Sequence, residues 1–182
     1  MTELGDFSTE VGLRLKQTRT AQGLSLSRLA ANAGIGKGSL SELEAGRRNP
    51  TLSTLYALAD ALGTPLTDLL PDHPGTQVSS PGITAQLLDT SRHADGTVTE
   101  VFILTLAPEG RRISGAHAPG TVEHLYLTEG QAAVGLTEDP TILRRGEAAT
   151  WPGDAEHSYE AIGMPARGTL TITTPTTAAP DA

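Results

Sequence analysis

Cysteine is absent from this chain. Disulfides and thiolate metal sites are therefore excluded, and any metal would have to be held by His and carboxylate ligands. Aromatic residues make up only 3% of the sequence, so Leu, Ile, Val and Ala must build the cores. No apolar run approaches the ~20 residues of a membrane span. The N-terminus, MTELGDFSTE, lacks the basic start and apolar stretch of a secretory signal. The expectation is a cytoplasmic protein with no membrane partner. Net charge is -8 over 182 residues, which argues against indiscriminate coating of nucleic acid. Hydrophobic residues reach 37%, enough for packed cores, and the length suits two modest domains.

The charge is unevenly placed. Between Thr9 and Pro50 seven basic residues face three acidic ones, whereas residues 71–182 hold six basic and fourteen acidic. The first segment could dock on a phosphate backbone; the second would repel it. Composition divides the chain at the same place. Residues 9–70 carry helical periodicity and punctuation, with Ser25 and Thr51 as N-caps and Gly23, Gly34, Gly46 and Gly63 as stops. Thr64 and Pro65 form an N-cap and N1 pair for a fifth short helix. The expectation is a five-helix domain. PDHPGTQVSSPG, residues 71–82, reads as a linker. Residues 83–174 hold short runs rich in Val, Ile, Thr and Tyr, broken by Gly, Pro and acidic turns. That is the pattern of an all-β barrel or sandwich. The tail, residues 175–182, is expected to be disordered.

The run LSLSRLAANAGIGKGSLSELEAGRRNP has the parts of a helix-turn-helix. Ala30 is the small residue where the helices cross, and Gly34 occupies the tight turn. Leu26, Leu29, Ile35, Leu40 and Leu43 lock the two helices together. With Leu40 and Leu43 inward, Gly38, Ser41, Glu42 and Ala45 turn outward, and Lys37 stands at the leading edge. Lys37, Gly38, Ser41 and Glu42 are the candidates for base edges in a major groove. Arg14, Gln17, Arg47 and Arg48 suit phosphate contacts; Ser25 and Ser39 complete the expected DNA-contacting set. The stretch from Val11 to Leu70 resembles the helix-turn-helix of the Cro and phage-repressor type, the XRE family of transcriptional regulators. Gly36 stands where that family often has a serine N-cap. The resemblance implies a homodimer on a palindromic operator in double-stranded DNA, its half-sites roughly 34 Å or a multiple apart. A helical domain used for protein contacts is the plain alternative.

Two clusters mark the second domain: GAHAPGTVEHLYLTEG, from Gly115, and GEAATWPGDAEHSYEA, from Gly146. His117, Glu123 and His157 could make a two-histidine, one-carboxylate metal site. Strand alternation puts Glu123, Leu125 and Leu127 on one face, His124 and Tyr126 on the other, and His157 with Tyr159 on a third. Facing a cavity, His117, Glu123, Tyr126, Trp151, His157 and Tyr159 are the candidate ligand-binding set. His124 is read as outward, and His73 and His93 as solvated loop residues. Arg111 and Arg112 are read as partners of acids or, for one of them, of an anionic ligand. The clusters resemble the two motifs of the cupin superfamily, which implies a double-stranded β-helix, a jelly-roll barrel. Six residues separate Glu123 from Gly130, as the first motif requires, and Gly146, Pro152 and His157 keep the second motif's spacing. Pro119 takes the place of a second histidine, and Asp154 that of a usual glycine. The fourth metal ligand is thus missing. A divalent metal (Zn, Fe, Ni or Mn) is the candidate cofactor, and a metal-free set that binds an organic effector or orders the barrel mouth is the alternative.

Together these readings predict a multidomain α + β protein: a helix-turn-helix domain followed by a cupin that senses a small-molecule effector. No enzymatic role is expected. The runner-up is a mononuclear non-haem iron oxygenase or epoxidase of the same layout, with His117, Glu123 and His157 as its facial triad. A toxin-antitoxin or adaptor role, with the barrel binding a protein, is a third reading.

Overall fold

The computed structural model describes residues 3–71, 75–108 and 110–175. They fall into two compact units, Met1–His73 and Pro74–Ala182. The expected loop position of His73 lies outside the described residues, as does the expected tail apart from Pro175. Among the described residues no helix is long and apolar enough to cross a membrane.

The first unit holds four α-helices: α1 (Glu3–Ala21), α2 (Leu26–Asn32), α3 (Lys37–Glu44) and α4 (Leu52–Leu62). The expected caps operate. The Ser25 hydroxyl accepts the Arg28 N–H and that of Thr51 accepts the Thr54 N–H, each at 3.2 Å. Gly34 and Gly63 end helices at φ 64° and 62°, a conformation that other residues adopt at a cost. Gly36 caps α3 without a side-chain hydrogen bond. Leu29, Ala30, Leu40 and Leu43 are buried between the helices with Val11 and Leu15 of α1 and Leu55 and Leu58 of α4.

Two expectations for this unit need correction. Helix α1 starts at Glu3, six residues before the expected boundary at residue 9. The fifth helix is a single 3-10 turn, Leu66–Asp68, capped by Pro65. Its bonds run i to i+3, from Asp68 to Pro65, Leu69 to Leu66 and Leu70 to Thr67. Leu66, Leu69 and Leu70 are all buried, and the following Pro71 disfavours α geometry at Leu70. The segment has room for one tight turn only.

The second unit is built of ten strands: β1 (Gln77–Ser80), β2 (Ile83–Arg92), β3 (Thr97–Leu106), β4 (Arg112–Ser114), β5 (Val122–Glu129), β6 (Gln131–Leu136), β7 (Thr141–Arg144), β8 (Ala148–Pro152), β9 (His157–Ala161) and β10 (Ala166–Pro175). They form a six-stranded sheet, ordered β1-β2-β3-β10-β5-β8, and a four-stranded sheet, ordered β4-β9-β6-β7. Every strand pair is antiparallel. The sheets touch through β3 with β9, β5 with β7, and β6 and β7 with β8, and Phe102, Leu104, Leu125, Leu127 and Val134 are buried.

Strand β1 lies inside the segment expected to be linker. Pro81 and Gly82 make a two-residue turn that pairs Ser80 with Ile83; proline first and glycine second, at a positive φ of 80°, is the pattern of a type II turn. Only Val78 is buried on this strand, too weak an apolar pattern to mark it beforehand. Glycine also permits a close approach at Gly168 of β10, where a Cβ would meet the Tyr126 carbonyl oxygen at 2.5 Å.

Candidate DNA-binding face and buried His–Glu cluster

Helix α3 buries Leu40 and Leu43 and leaves Lys37, Gly38, Ser41 and Glu42 exposed. The apolar residues three apart fix that orientation. Ser39 is half-buried and accepts a 3.1 Å hydrogen bond from Arg48 Nη1. Arg47, Arg48 and Gln17 are exposed. Arg14 is engaged by Glu10, one helical turn earlier, at 3.2 Å. Ser25 is occupied as the cap of α2. Beside the start of α3 lies a cleft of about 260 Å³, lined among others by Gly36, Ser39, Arg48, Asn49, Thr51 and Thr54.

In the second unit, β5 turns Glu123, Leu125 and Leu127 inward. From the other sheet, β9 turns His157 and Tyr159 inward. Glu123 and His157 are both 0% exposed. His117 comes from the loop before β5, where its N–H donates to the Gly153 carbonyl at 2.9 Å. Its Nε2 lies 3.1 Å from Glu123 Oε1, and His157 Nε2 lies 3.2 Å from the same oxygen. The other carboxylate oxygen, Oε2, accepts a hydrogen bond from the Tyr159 hydroxyl. Trp151 faces Glu123 across β5 and β8, its ring 6.4 Å from that of His157 and 5.8 Å from that of Tyr159. Burial alone pushes the Glu123 carboxyl up, but the two imidazoles beside it, when protonated, outweigh it and bring its pKa to about 2.

Five of the six expected ligand residues therefore meet. Tyr126 does not. It stands on the outer face of β5, 45% exposed. It shares that face with His124, whose Nδ1 pairs with Thr150 Oγ1 at 2.7 Å. Alternation showed which residues share a face but not which face is inside. Arg111, read as a partner of acids or an anion, instead donates to the Ser158 hydroxyl and the Thr137 carbonyl.

The donor set fits a divalent cation. His157 Nδ1 sits 2.8 Å from the Ala155 carbonyl oxygen, a contact that requires the ring proton on Nδ1. The Nε2 lone pair then faces Glu123 Oε1, and neither atom has a hydrogen-bond partner although both are buried. Two acceptors this close need either a second proton on the ring or a cation between them. A carbonyl holding the far ring nitrogen is also the usual support of a metal-binding histidine. The candidate ligand atoms of His117, Glu123 and His157 all lie within 4.8 Å of one another.

Comparison with known proteins places the chain. The helix-turn-helix family model HTH_3 matches residues 15–69. The HTH-type transcriptional regulator y4dJ of Sinorhizobium fredii (strain NBRC 101917 / NGR234) is 42% identical over 65 residues, which cover 36% of this chain and 84% of that protein. The chain belongs to the HTH-type transcriptional regulators. The similarity extends past the helical unit. The HTH-type transcriptional regulator SutR of Escherichia coli (strain K12) is 29% identical over 152 residues, 82% of this chain and 85% of SutR. The crystal structure of an HTH_3 family transcriptional regulator from Vibrio cholerae aligns with a TM-score of 0.82 at 25% identity, covering 94% of this chain and 99% of that one.

Three features of this regulator escaped the sequence. Arg19, counted among the basic residues of the DNA-facing segment, is bound by Glu44 through Nε–Oε1 at 2.6 Å and Nη2–Oε2 at 2.8 Å. Its Nη1 donates to the Leu24 carbonyl. The bidentate pair ties α1 to the end of α3 and withdraws Arg19 from phosphate binding. Gly153 links the His117 loop to β5, since its own N–H donates to the Thr121 carbonyl at 2.8 Å. Asp154, noted only as a departure from a motif, accepts the Gly120 N–H at 2.8 Å and clasps the same two loops.

Proposed function

We propose that this regulator is a sequence-specific homodimeric DNA-binding protein that senses a small molecule at the buried cluster of its C-terminal unit. We read the two antiparallel sheets as the double-stranded β-helix of the cupin type. Lys37, Gly38, Ser41 and Glu42 address base edges from the exposed side of α3. Arg14, Gln17, Arg47 and Arg48 take phosphates, and the cleft beside Arg48 at the start of α3, where no side chain bonds the first N–H groups, suits one of them. Ser25 and Ser39 serve by holding the cap of α2 and the Arg48 side chain.

The sensor half rests on one observation: Glu123 Oε1, His157 Nε2 and Trp151 Nε1 are buried polar atoms of a single cluster, and all three lack hydrogen-bond partners. Such atoms cost free energy when left unmet, and a bound ligand meets them. His117, Glu123 and His157 would hold a divalent metal, which supplies a Lewis-acidic anchor for an effector's oxygen or nitrogen atoms. Trp151 offers the effector an N–H donor. A ligand changes operator affinity only if it binds the DNA-competent and DNA-incompetent states unequally.

Footprinting on the gene's own upstream region tests the proposal, using purified protein stripped of metal and then resupplied with Zn, Mn, Ni or Fe. A protected palindrome whose affinity responds to metal is expected; no protection under any condition would refute the regulator reading for this chain. The same two-histidine, one-carboxylate set also suits an iron oxygenase. Stoichiometric iron with oxygen uptake, and no protected site, would favour that second reading.

A further inference from the structure

Glu123 has two oxygens in different surroundings. Both imidazoles approach Oε1. Oε2 accepts a hydrogen bond from the Tyr159 hydroxyl. Tyr159 is buried, and its ring is wedged edge-on against His157, at 5.6 Å and 83°, and against Trp151, at 5.8 Å and 70°. It stands two residues after His157 on the inward face of β9. One short strand of the four-stranded sheet thus delivers both a nitrogen beside Oε1 and a hydroxyl on Oε2 of a carboxylate that belongs to the six-stranded sheet.

We propose that Tyr159 is a positioning residue that restricts Glu123 to one donor oxygen. The inference rests on the metal reading given above. With Oε2 held, the carboxylate offers Oε1 alone, so the protein contributes two nitrogens and one oxygen to a cation. The remaining positions stay open to the effector. A free Oε2 would let Glu123 chelate with both oxygens and occupy a position the effector needs.

Cobalt(II) tests this, because its visible absorption reports coordination number. The full chain is titrated with cobalt as wild type, as Tyr159→Phe, and as Tyr126→Phe, the outer-face control. Wild type and Tyr126→Phe should bind with the same affinity and spectrum. Tyr159→Phe should bind with a weaker absorption band as Oε2 joins the coordination. Should wild type take up no cobalt, the metal reading fails and this inference with it. Should wild type bind but Tyr159→Phe match its spectrum, this inference alone is overturned. If Tyr159→Phe does not fold, the infrared difference spectrum of the loaded wild type decides. Widely split carboxylate stretches are expected for one-oxygen binding, and narrowly split ones overturn the proposal.

Discussion

Two backbone hydrogen bonds converge on Gly153, one given to Thr121 and one received from His117. A Cβ at this position would lie 3.0 Å from Thr121 Cγ2 and 3.2 Å from Glu123 Cγ. Thr121 and Glu123 are themselves buried, so neither can swing into solvent. Gly153→Ala should therefore displace the Glu123 carboxylate while leaving the helical unit untouched. Cobalt affinity should fall at least about 10-fold, the scale seen when the support of a metal ligand is disturbed, with operator affinity unchanged. Unaltered cobalt binding would mean that the neighbours yield and that Gly153 does not position the site. On the DNA side, Lys37 and Arg48 should separate cleanly. Lys37→Ala should cost about 1–3 kcal/mol of discrimination between operator and altered sites. Arg48→Ala should weaken all sequences about equally and lessen the salt slope by about one. Competition binding over two salt concentrations measures both, and the reverse pattern would overturn the assigned roles.

Between elements, α1 lies hard against the end of α3 at Gly12. A Cβ on Gly12 would stand 2.3 Å from the Leu43 carbonyl oxygen and 3.1 Å from the Gly46 nitrogen. Alanine in a helix is favoured over glycine by about 0.5–1 kcal/mol. A clash with backbone cannot be relieved by a rotamer change, and overpacking costs about 1–3 kcal/mol, so the clash should win. Gly12→Ala is expected to lower the urea midpoint, and an unchanged or higher midpoint would show that α1 slides without penalty. Nothing in the local pattern distinguishes Gly12 from other helical glycines, because its partner lies thirty-odd residues away in α3. The Arg19–Glu44 pair escaped for the same reason. By contrast, the inward face of α3 was legible, because Leu40 and Leu43 obey the helical period and Gly34 and Gly36 bracket its start. In the sheets, alternation separated Glu123 from Tyr126 correctly, but only packing against the second sheet decided that Glu123 faces in. The contact of Tyr159 with Glu123 depends on how two different sheets meet, which no period within one strand encodes. Strand β1 was hidden by a polar sequence with one buried residue, Val78.

At the scale of the whole molecule the excess of acidic residues lies after Pro71, whereas the basic residues of the helical unit are gathered between Thr9 and Pro50. Phosphate attraction thus belongs to the helical unit, and it is separable from whatever the cluster binds. Glu123→Ala and His157→Ala test that separation. Each removes a ligand atom from the buried cluster of the second unit, whereas the exposed face of α3 belongs to the first. Both variants should keep wild-type operator affinity in the absence of metal and effector. They should also lose the response to ligand, which for a coupled pair of sites is about 5- to 150-fold in affinity. Because Glu123 and His157 are buried, folding has to be followed in the same samples by circular dichroism and thermal melting. Folded variants with no response would assign the cluster to sensing. Folded variants that respond like wild type would move the sensor elsewhere in the chain, and variants that unfold would make these residues part of the scaffold.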